Sequence, residues 1–268
     1  MIGFWDVVER CSSGEWMRES DYDALLYRNV SELTGKYDLK FDPESIIPSD
    51  DALADRAFEA GIELFLRMGF YCLDTNRVVR FTRHELEDRL EAAPETYVWG
   101  QGKDIHIHQV CNTSSAMLWL ASVYSQALAR NTHLLNESVA MAAAGPCTEM
   151  LFYEFAAYAI AATVSGANVV AGGIARDKYP QRVSTLEIQT ASEVAHIVSR
   201  MGMKRKEANA LVKKLLEKYE RMIPNAPLGK KFSEIYDMEK VRPLPDYQRM
   251  YEDIRKELSG RGLDYGLL

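Results

Sequence analysis

The sequence lacks most of the short signatures by which catalytic and metal-binding chains are read. None of its 4 cysteines (Cys11, Cys72, Cys111, Cys147) stands in a CxxC arrangement, which removes the usual zinc-ribbon and redox spacings. They are far apart in a chain of 268 residues, so reduced thiols are expected rather than a disulfide framework. There is no GxGxxG ahead of a helix, no Walker A sequence, no HExxH and no GxSxG. Nor does any apolar run approach the ~20 residues that span a bilayer. The least polar stretch, residues 139–164, is broken by Gly145, Pro146, Glu149 and Glu154. A basic excess is missing too. With 32 Lys and Arg against 39 Asp and Glu, the formal charge is −7, which argues against nucleic acid or an anionic membrane as main partner. Residues 1–16 do not show the basic-then-apolar order of a signal peptide, so a cytoplasmic protein is expected.

What is present is ordinary for a globular chain: 47% apolar and 26% charged residues, enough for one large domain or two small ones. Residues 1–110 read as a mainly helical region. Ser20 is placed to cap a helix over residues 20–33, with Leu25, Leu26, Val30 and Leu33 on one face. Pro48-Ser49-Asp50 opens a second helix, whose apolar face carries Leu53, Ala57, Phe58, Ile62, Phe65 and Leu66. Thr82-Arg83-His84-Glu85 is a capping box for a third. Residues 76–81, 96–99 and 105–108 look extended.

After residue 110 the pattern changes, and residues 111–268 form the second region. Asn112 or Thr113 is placed to cap a helix to about Arg130. The small-residue run over residues 139–144 follows, then a helix to about Val164, then a buried strand over residues 167–174. Ser184-Thr185-Leu186-Glu187 is a second capping box, opening a helix to about Met201. Such alternation implies parallel strands joined by crossover helices. An amphipathic helix over residues 204–222, a linker over 224–229 and a last helix over 245–260 complete the chain. The fold class is therefore α/β and helix-rich. Two strands are far from the eight that close a (β/α)8 barrel.

In such folds the loops after the strands hold the functional groups. Two are present here. The first is Ala144-Gly145-Pro146-Cys147-Thr148-Glu149; on spacing alone it is first of all a helix start, with Pro and Glu where any helix prefers them. Cys147 has no base visible near it in the sequence, so an inert thiol is the simpler reading of it. The second, residues 172–184, contains Arg176, Asp177, Lys178 and Arg182. His106 and His108 would share one face of a strand and with Asp104 could hold a metal, but two histidines at that spacing are more simply a solvated face, and no metal site is assigned. His84, His133 and His196 are isolated. Glu149 and Glu154 are not at i,i+4 spacing and do not form an acid/base pair, and Phe152, Tyr153, Phe155 and Tyr158 read as core.

Several strings resemble the monomethylamine:corrinoid methyltransferase family, the pyrrolysine-type methylamine methyltransferases. They are Ile47-Pro48-Ser49-Asp50 and residues 69–82 in the first region, then Ala144-Gly145-Pro146-Cys147-Thr148-Glu149-Met150, Ala226-Pro227-Leu228-Gly229-Lys230 and Tyr236-Asp237 in the second. Asn112-Thr113 also resembles a family site. The similarity runs over residues 14–108 and 112–265.

The resemblance implies a TIM (β/α) barrel with a helical N-terminal extension, here only partial. The join falls near residues 104–112, where the family has more than half a barrel, including the segment that carries pyrrolysine. It further implies methylamine metabolism and methanogenesis: transfer of a methyl group from monomethylamine to a corrinoid carried by a separate partner protein, with no cofactor bound directly by the chain. Where the family places a Gln and a Tyr near the pyrrolysine, this chain has Val139 and Met141, which cannot make the same hydrogen bonds. Impaired transfer is therefore expected. The alternative is a non-catalytic relative that binds the corrinoid protein or assembles with itself. Cys147, Thr148, Glu149 and Asn112 mark the functional face, with no catalytic role carried over. A partial barrel leaves strand edges and apolar faces to cover, so a homo-oligomer is expected.

Overall fold

The computed structural model describes residues 2–92, 111–171, 175 and 179–268. The boundary expected at residue 110, the extended segments expected over 96–99 and 105–108, and His106 and His108 lie outside them. The chain divides into two compact units. One comprises Met1–Lys40, Asp50–Tyr97 and Ala127–Leu135; the other comprises Phe41–Ser49, Val98–Gln126 and Asn136–Leu268.

The first unit contains α1 (Phe4–Ser13), β1 (Glu15–Trp16), α2 (Glu19–Lys36), α3 (Asp51–Met68), β2 (Phe70–Cys72), β3 (Arg77–Val79) and α4 (Arg83–Ala92). Its strands form an antiparallel sheet in the order β1-β3-β2, with Tyr71 opposite Val78. The strand expected over 76–81 is thus β3. The hairpin before it turns at Asn76, whose φ of 53° lies in the left-handed region that Asn tolerates.

Two of the three helix starts read from sequence stand. The Asp50 side chain accepts the Ala52 N–H at 2.9 Å. Thr82 and Glu85 exchange backbone-to-side-chain bonds, Thr82 N–H to Glu85 Oε2 at 2.8 Å and Glu85 N–H to Thr82 Oγ1 at 3.2 Å. The third does not: α2 begins at Glu19 after Arg18, and Ser20 lies inside it. Arg18 pairs with Asp21 at 3.0 Å across this first turn. Elsewhere the unit is held by ion pairs: Arg10 to Glu85, Arg67 to Glu63 and Glu32, and Arg130 to Asp51 and Asp55. Phe81 adds stacking on Phe65, at 5.3 Å between centroids.

In the second unit α5 (Ser115–Asn131) starts the alternation; its last residues belong to the first unit. β4 (Glu137–Ala140), α6 (Glu149–Val164), β5 (Asn168–Ala171) and α7 (Thr185–Met201) follow, then α8 (Arg205–Tyr219). β4 and β5 pair in parallel, Val139 opposite Val170. A helix crosses between them, so the architecture is α/β and helix-rich, and this strand–helix–strand unit is the one that a TIM (β/α) barrel repeats.

α6 explains the core. Every residue from Met150 to Ala162 is buried, which requires neighbours on all sides rather than on one stripe. Five alanines in that span (Ala156, Ala157, Ala159, Ala161, Ala162) keep the helix thin enough for close neighbours, and α7 and α8 are its main ones. The aromatic run read as core is core: Phe152 and Phe155 are fully buried, and Tyr153 and Tyr158 nearly so.

Two boundaries differ from expectation. The first of the two expected strands, β4, takes in only the start of the small-residue run over 139–144 and ends at Ala140. Neither Asn112 nor Thr113 caps α5; Ser114 Oγ accepts the Met117 N–H there, at 3.4 Å.

The Ser184–Glu187 capping box forms at the start of α7, where the Ser184 N–H donates to Glu187 at 2.5 Å. After α8 come α9 (Phe232–Ile235), the two-stranded β6 (Tyr236–Asp237) and β7 (Arg242–Pro243), and α10 (Pro245–Gly260) with Pro245 in its first turn. Among the described residues no helix is long and apolar enough to cross a membrane.

Candidate functional site

The site is the loop between β4 and α6, and a buried carboxylate shapes it. Glu154 points back from the second turn of α6. Its Oε1 accepts the Ala143 N–H at 2.8 Å and its Oε2 the Ala144 N–H at 2.9 Å. The Thr113 hydroxyl donates to Oε1 at 2.5 Å. Backbone donors that would be orphaned beyond the strand end are thus satisfied by one side chain. Burial pushes the Glu154 carboxyl above its ordinary range, against the pull of these three bonds. Thr113 is tied in turn: its carbonyl accepts the Tyr219 hydroxyl at 2.5 Å, and Cys111 Sγ lies 3.1 Å from its hydroxyl.

Asn112, beside it, works on the strand itself. Its Nδ2 donates to the Val139 carbonyl at 2.6 Å, its Oδ1 accepts the Met141 N–H at 2.8 Å, and its own N–H donates to the Met141 carbonyl. A barrel strand presents such groups to a neighbouring strand; here one buried amide takes them.

The rest of the loop is locked to a distant segment. Gly145 donates its N–H to the Pro227 carbonyl at 2.9 Å, and Lys230 donates to the Pro146 carbonyl at 2.9 Å. The backbones approach so closely that a Cβ on Gly145 would stand 1.8 Å from the Leu228 carbonyl oxygen. One on Gly229, where φ is +63°, would stand 2.1 Å from the Pro146 oxygen. Both positions therefore need glycine. Arg182 clamps the same segment, donating to the Leu228 carbonyl at 3.1 Å and also to that of Gly229. Two strings eighty residues apart in the chain, 144–150 and 226–230, are thereby one interlocked surface.

Cys147, Thr148 and Glu149 follow directly. Cys147 has φ of 63°, a conformation that a non-glycine residue adopts only when its surroundings impose it. Thr148 caps α6: its hydroxyl accepts the Leu151 N–H at 3.4 Å and donates to the Gly145 carbonyl at 2.7 Å. Glu149 is exposed and borders a groove of about 310 Å³ shared with Tyr153, Asp246, Arg249, Asp253 and Glu257. Burial opposes ionisation of Glu257, but Lys218, Tyr153 and Arg261 outweigh it and hold that carboxyl down, to about 2.

Cys147, Thr148 and Glu149 thus sit at the start of α6, while Asn112 is buried at the end of β4, tied to the other side of the same loop. Glu149 and Glu154 are not a pair: one is exposed, the other fully buried. His84 and His196 are exposed, and Arg176, Asp177 and Lys178 lie outside the described residues. Glu154, Thr113 and the Leu228-Gly229 segment were not singled out by chemistry in the sequence. The signal for Glu154 was there: beyond its first turn, α6 contains no other charged residue, and a lone acid in such a helix must find donors.

Known proteins give this geometry a context. The family model of monomethylamine methyltransferase MtmB matches residues 2–107 and, as a second stretch, residues 103–263. Monomethylamine methyltransferase MtmB1 of Methanosarcina barkeri is 30% identical over 166 residues, 62% of this chain and 36% of that protein. MtmB1 of Methanosarcina acetivorans is 31% identical over the same shares. The chain thus spans about a third of the curated relatives it matches. The crystal structure of the Methanosarcina barkeri monomethylamine methyltransferase superposes with a TM-score of 0.88 at 18% identity, over 97% of this chain and 98% of that one. Its hydroxylamine complex gives the same values. At that identity the likeness concerns the fold. The 36% and the 98% disagree, and the sequence share is the one that limits what carries over residue by residue.

Proposed function

The chain belongs to the monomethylamine methyltransferase MtmB family, and from that premise we propose that it is a methyltransferase relative whose transfer of a methyl group from monomethylamine to a partner corrinoid protein is impaired. The observation that carries the proposal is the divided family match, whose two stretches meet at residues 103–107. The resemblance assigns these stretches to the family's two ends, consecutive in this sequence, and the two described barrel strands follow the join.

Methyl transfer needs the amine held in line with the cobalt, and that prior orientation supplies much of the rate. The resemblance places the residues that would orient it in a part of the barrel that falls between the two stretches. At the end of β4, Val139 and Met141 stand where the family resemblance places polar side chains, and the Met141 backbone and Val139 carbonyl are engaged by Asn112. No catalytic residue is assigned. Cys147, Thr148 and Glu149 mark the retained face, on which the partner corrinoid protein would dock; the corrinoid stays on that partner, in the cytoplasm. Val139 and Val170, neighbours across the sheet, are both more than a third exposed, which supports self-association as the way to cover this face.

The test mixes the chain with monomethylamine and a reduced corrinoid protein from a methylamine-using relative, and follows cobalt methylation by the visible spectrum. The expected result is co-elution of the corrinoid protein without methylation above the rate seen in the absence of the chain. Methylation in proportion to added chain would overturn the impairment; failure to co-elute would overturn the docking face. Size-exclusion with light scattering should show an oligomer, and a stable monomer would remove that part.

A further inference from the structure

The parallel sheet of the second unit has two edges, and they are finished differently. At β4 the outward groups are taken. The Asn112 amide donates to the Val139 carbonyl at 2.6 Å and accepts the Met141 N–H at 2.8 Å, and the Asn112 N–H takes the Met141 carbonyl at 3.0 Å. In a parallel ladder a residue of the neighbouring strand bonds the C=O before its partner and the N–H after it. The Asn112 side chain does this around Ala140, so it stands where a strand residue would. A second strand could pair there only by displacing it, and would meet the exposed Glu137 carboxylate as well.

At β5 the outward groups are open. The Asn168 N–H donates to the Asn136 carbonyl at 2.8 Å, with Glu137 opposite Asn168, so Asn168 and Val170 bond toward β4. Val169 and Ala171 therefore direct their backbone groups the other way. So does the Ala167 carbonyl, which lies opposite the Asn168 N–H across one trans peptide. Among the described residues the Val169 N–H and C=O, the Ala171 N–H and the Ala167 C=O have no hydrogen-bond partner. The Ala167 N–H is used, by the Ala162 carbonyl at 3.0 Å. Asn168-Val169-Val170-Ala171 also lacks the charge or proline by which open edges are blocked.

We propose that a second copy of this chain pairs antiparallel with the β5 edge, about a two-fold axis through Val169. This specifies the surface of the self-association proposed above, and rests on that reading. The edge is complementary to itself when reversed: donors meet acceptors of opposite partial charge, and no charged side chain of the strand faces its own copy. The Val169 N–H of each chain donates to the Val169 carbonyl of the other, a self-pairing that a two-fold axis requires. The Ala171 N–H of each donates to the Ala167 carbonyl of the other. The sheet β4-β5 is thereby continued by β5 and β4 of the second copy. Val170, more than a third exposed, comes to lie opposite Asn168 of the second copy, which shields it. An edge of 4 residues buries much less than a permanent dimer does, so the pairing is weak and grows with chain concentration.

The test follows the full wild-type chain by light scattering and by amide exchange at two concentrations about a hundredfold apart. The mass should rise from one chain toward two. The Val169 and Ala171 amides should exchange about tenfold more slowly at the higher concentration, while the Met141 amide, bonded to Asn112, keeps its rate. Val169→Pro removes the outward donor without touching the bonds to β4, and should hold the mass at one chain. With Asn168→Cys and Val170→Cys together, mild oxidation should link two chains reversibly, because these positions face each other across the axis at about 4.5 Å between Cα atoms. A dimer whose Val169 amide exchanges as fast as in the dilute chain overturns this edge and leaves self-association by another surface standing. A mass of one chain at both concentrations overturns the pairing and the self-association together. The wild-type exchange decides the matter even where Val169→Pro does not fold.

Discussion

In the first unit α1 buries no residue and α2 buries only Leu33, whereas α6 in the second unit buries every residue from Met150 to Ala162. The difference extends to their charged groups. The acids of the first unit, Glu63 and Glu85, work in partly exposed ion pairs with Arg67, Lys36 and Arg10. Two acids of the second unit, Glu154 and Glu187, are instead fully buried and bind backbone N–H groups and hydroxyls. Exposed pairs contribute ~0–1 kcal/mol each and weaken in salt; a buried acid with unpaired donors left behind is far more costly to remove. The comparison teaches that the second unit carries the stability, and that its polar bonds shape the candidate site in doing so.

The strongest way to break this picture is Glu154→Leu. The leucine leaves the Ala143 and Ala144 N–H groups and the Thr113 hydroxyl buried without their acceptor. A loss of about 3–5 kcal/mol is expected in urea unfolding followed by circular dichroism. A loss below ~1 kcal/mol would mean that the carboxylate does not hold the loop.

Next comes Gly145→Ala. Its added methyl would meet the Leu228 carbonyl oxygen at 1.8 Å, and backbone cannot swing aside as a side chain can. About 2–3 kcal/mol should be lost, and amide exchange should quicken over residues 226–230 before it quickens in α6. Equal quickening in both would show that the interlock is part of the core and not a separate device of the site.

These two positions also show what could be read beforehand. The capping boxes at Thr82-Glu85 and Ser184-Glu187 were legible because both partners lie within one turn of chain. So was the core character of α6, written in its composition. The family strings around Gly145 and Gly229 were visible, but not that they interlock, since nothing local records a contact across such a separation. Asn112 looked like a helix cap because Asn usually serves its own neighbourhood; its partners Val139 and Met141 lie 27 and 29 residues on. In the sequence Glu154 reads as a break in an apolar run and as no partner for Glu149, and its ties to Ala143 and Thr113 lie 11 and 41 residues back. Ser20 failed as a cap for a different reason: Arg18 and Asp21 start α2 two residues earlier.

A smaller effect is expected of Thr148→Ala. The Thr148 hydroxyl caps α6 through a 3.4 Å bond, and most of the helix is fixed by its burial. About 1 kcal/mol should be lost in the same urea titration. Thr148→Ser should recover most of it, because the hydroxyl and not the methyl makes the bond.

The least costly test separates Glu63 and Glu85 from Glu154 and Glu187 by pH, since these two pairs of acids are shifted in opposite directions. Lys36, Tyr37 and Arg67 hold Glu63 down to about 2, and Arg10 with Thr82 holds Glu85 down to about 2, both from an ordinary 4.5. A depressed carboxylate adds stability that is complete above its unfolded value and is lost as pH falls from about 4.5 toward about 2. Burial raises Glu154 and Glu187 instead, so their folded forms take up protons more readily than the unfolded chain and gain stability on acidification. Amide exchange measured from pH 6 to about pH 3, corrected for intrinsic rate, should therefore show α3 and α4 losing protection while α6 and α7 keep theirs. Added salt should weaken the Glu63 and Glu85 ion pairs further at neutral pH and leave the bonds of Glu154 and Glu187 unchanged. Parallel loss of protection in all four helices would mean that the ion pairs and the buried acids stabilise one cooperative structure, and that the contrast between the units ends at their composition.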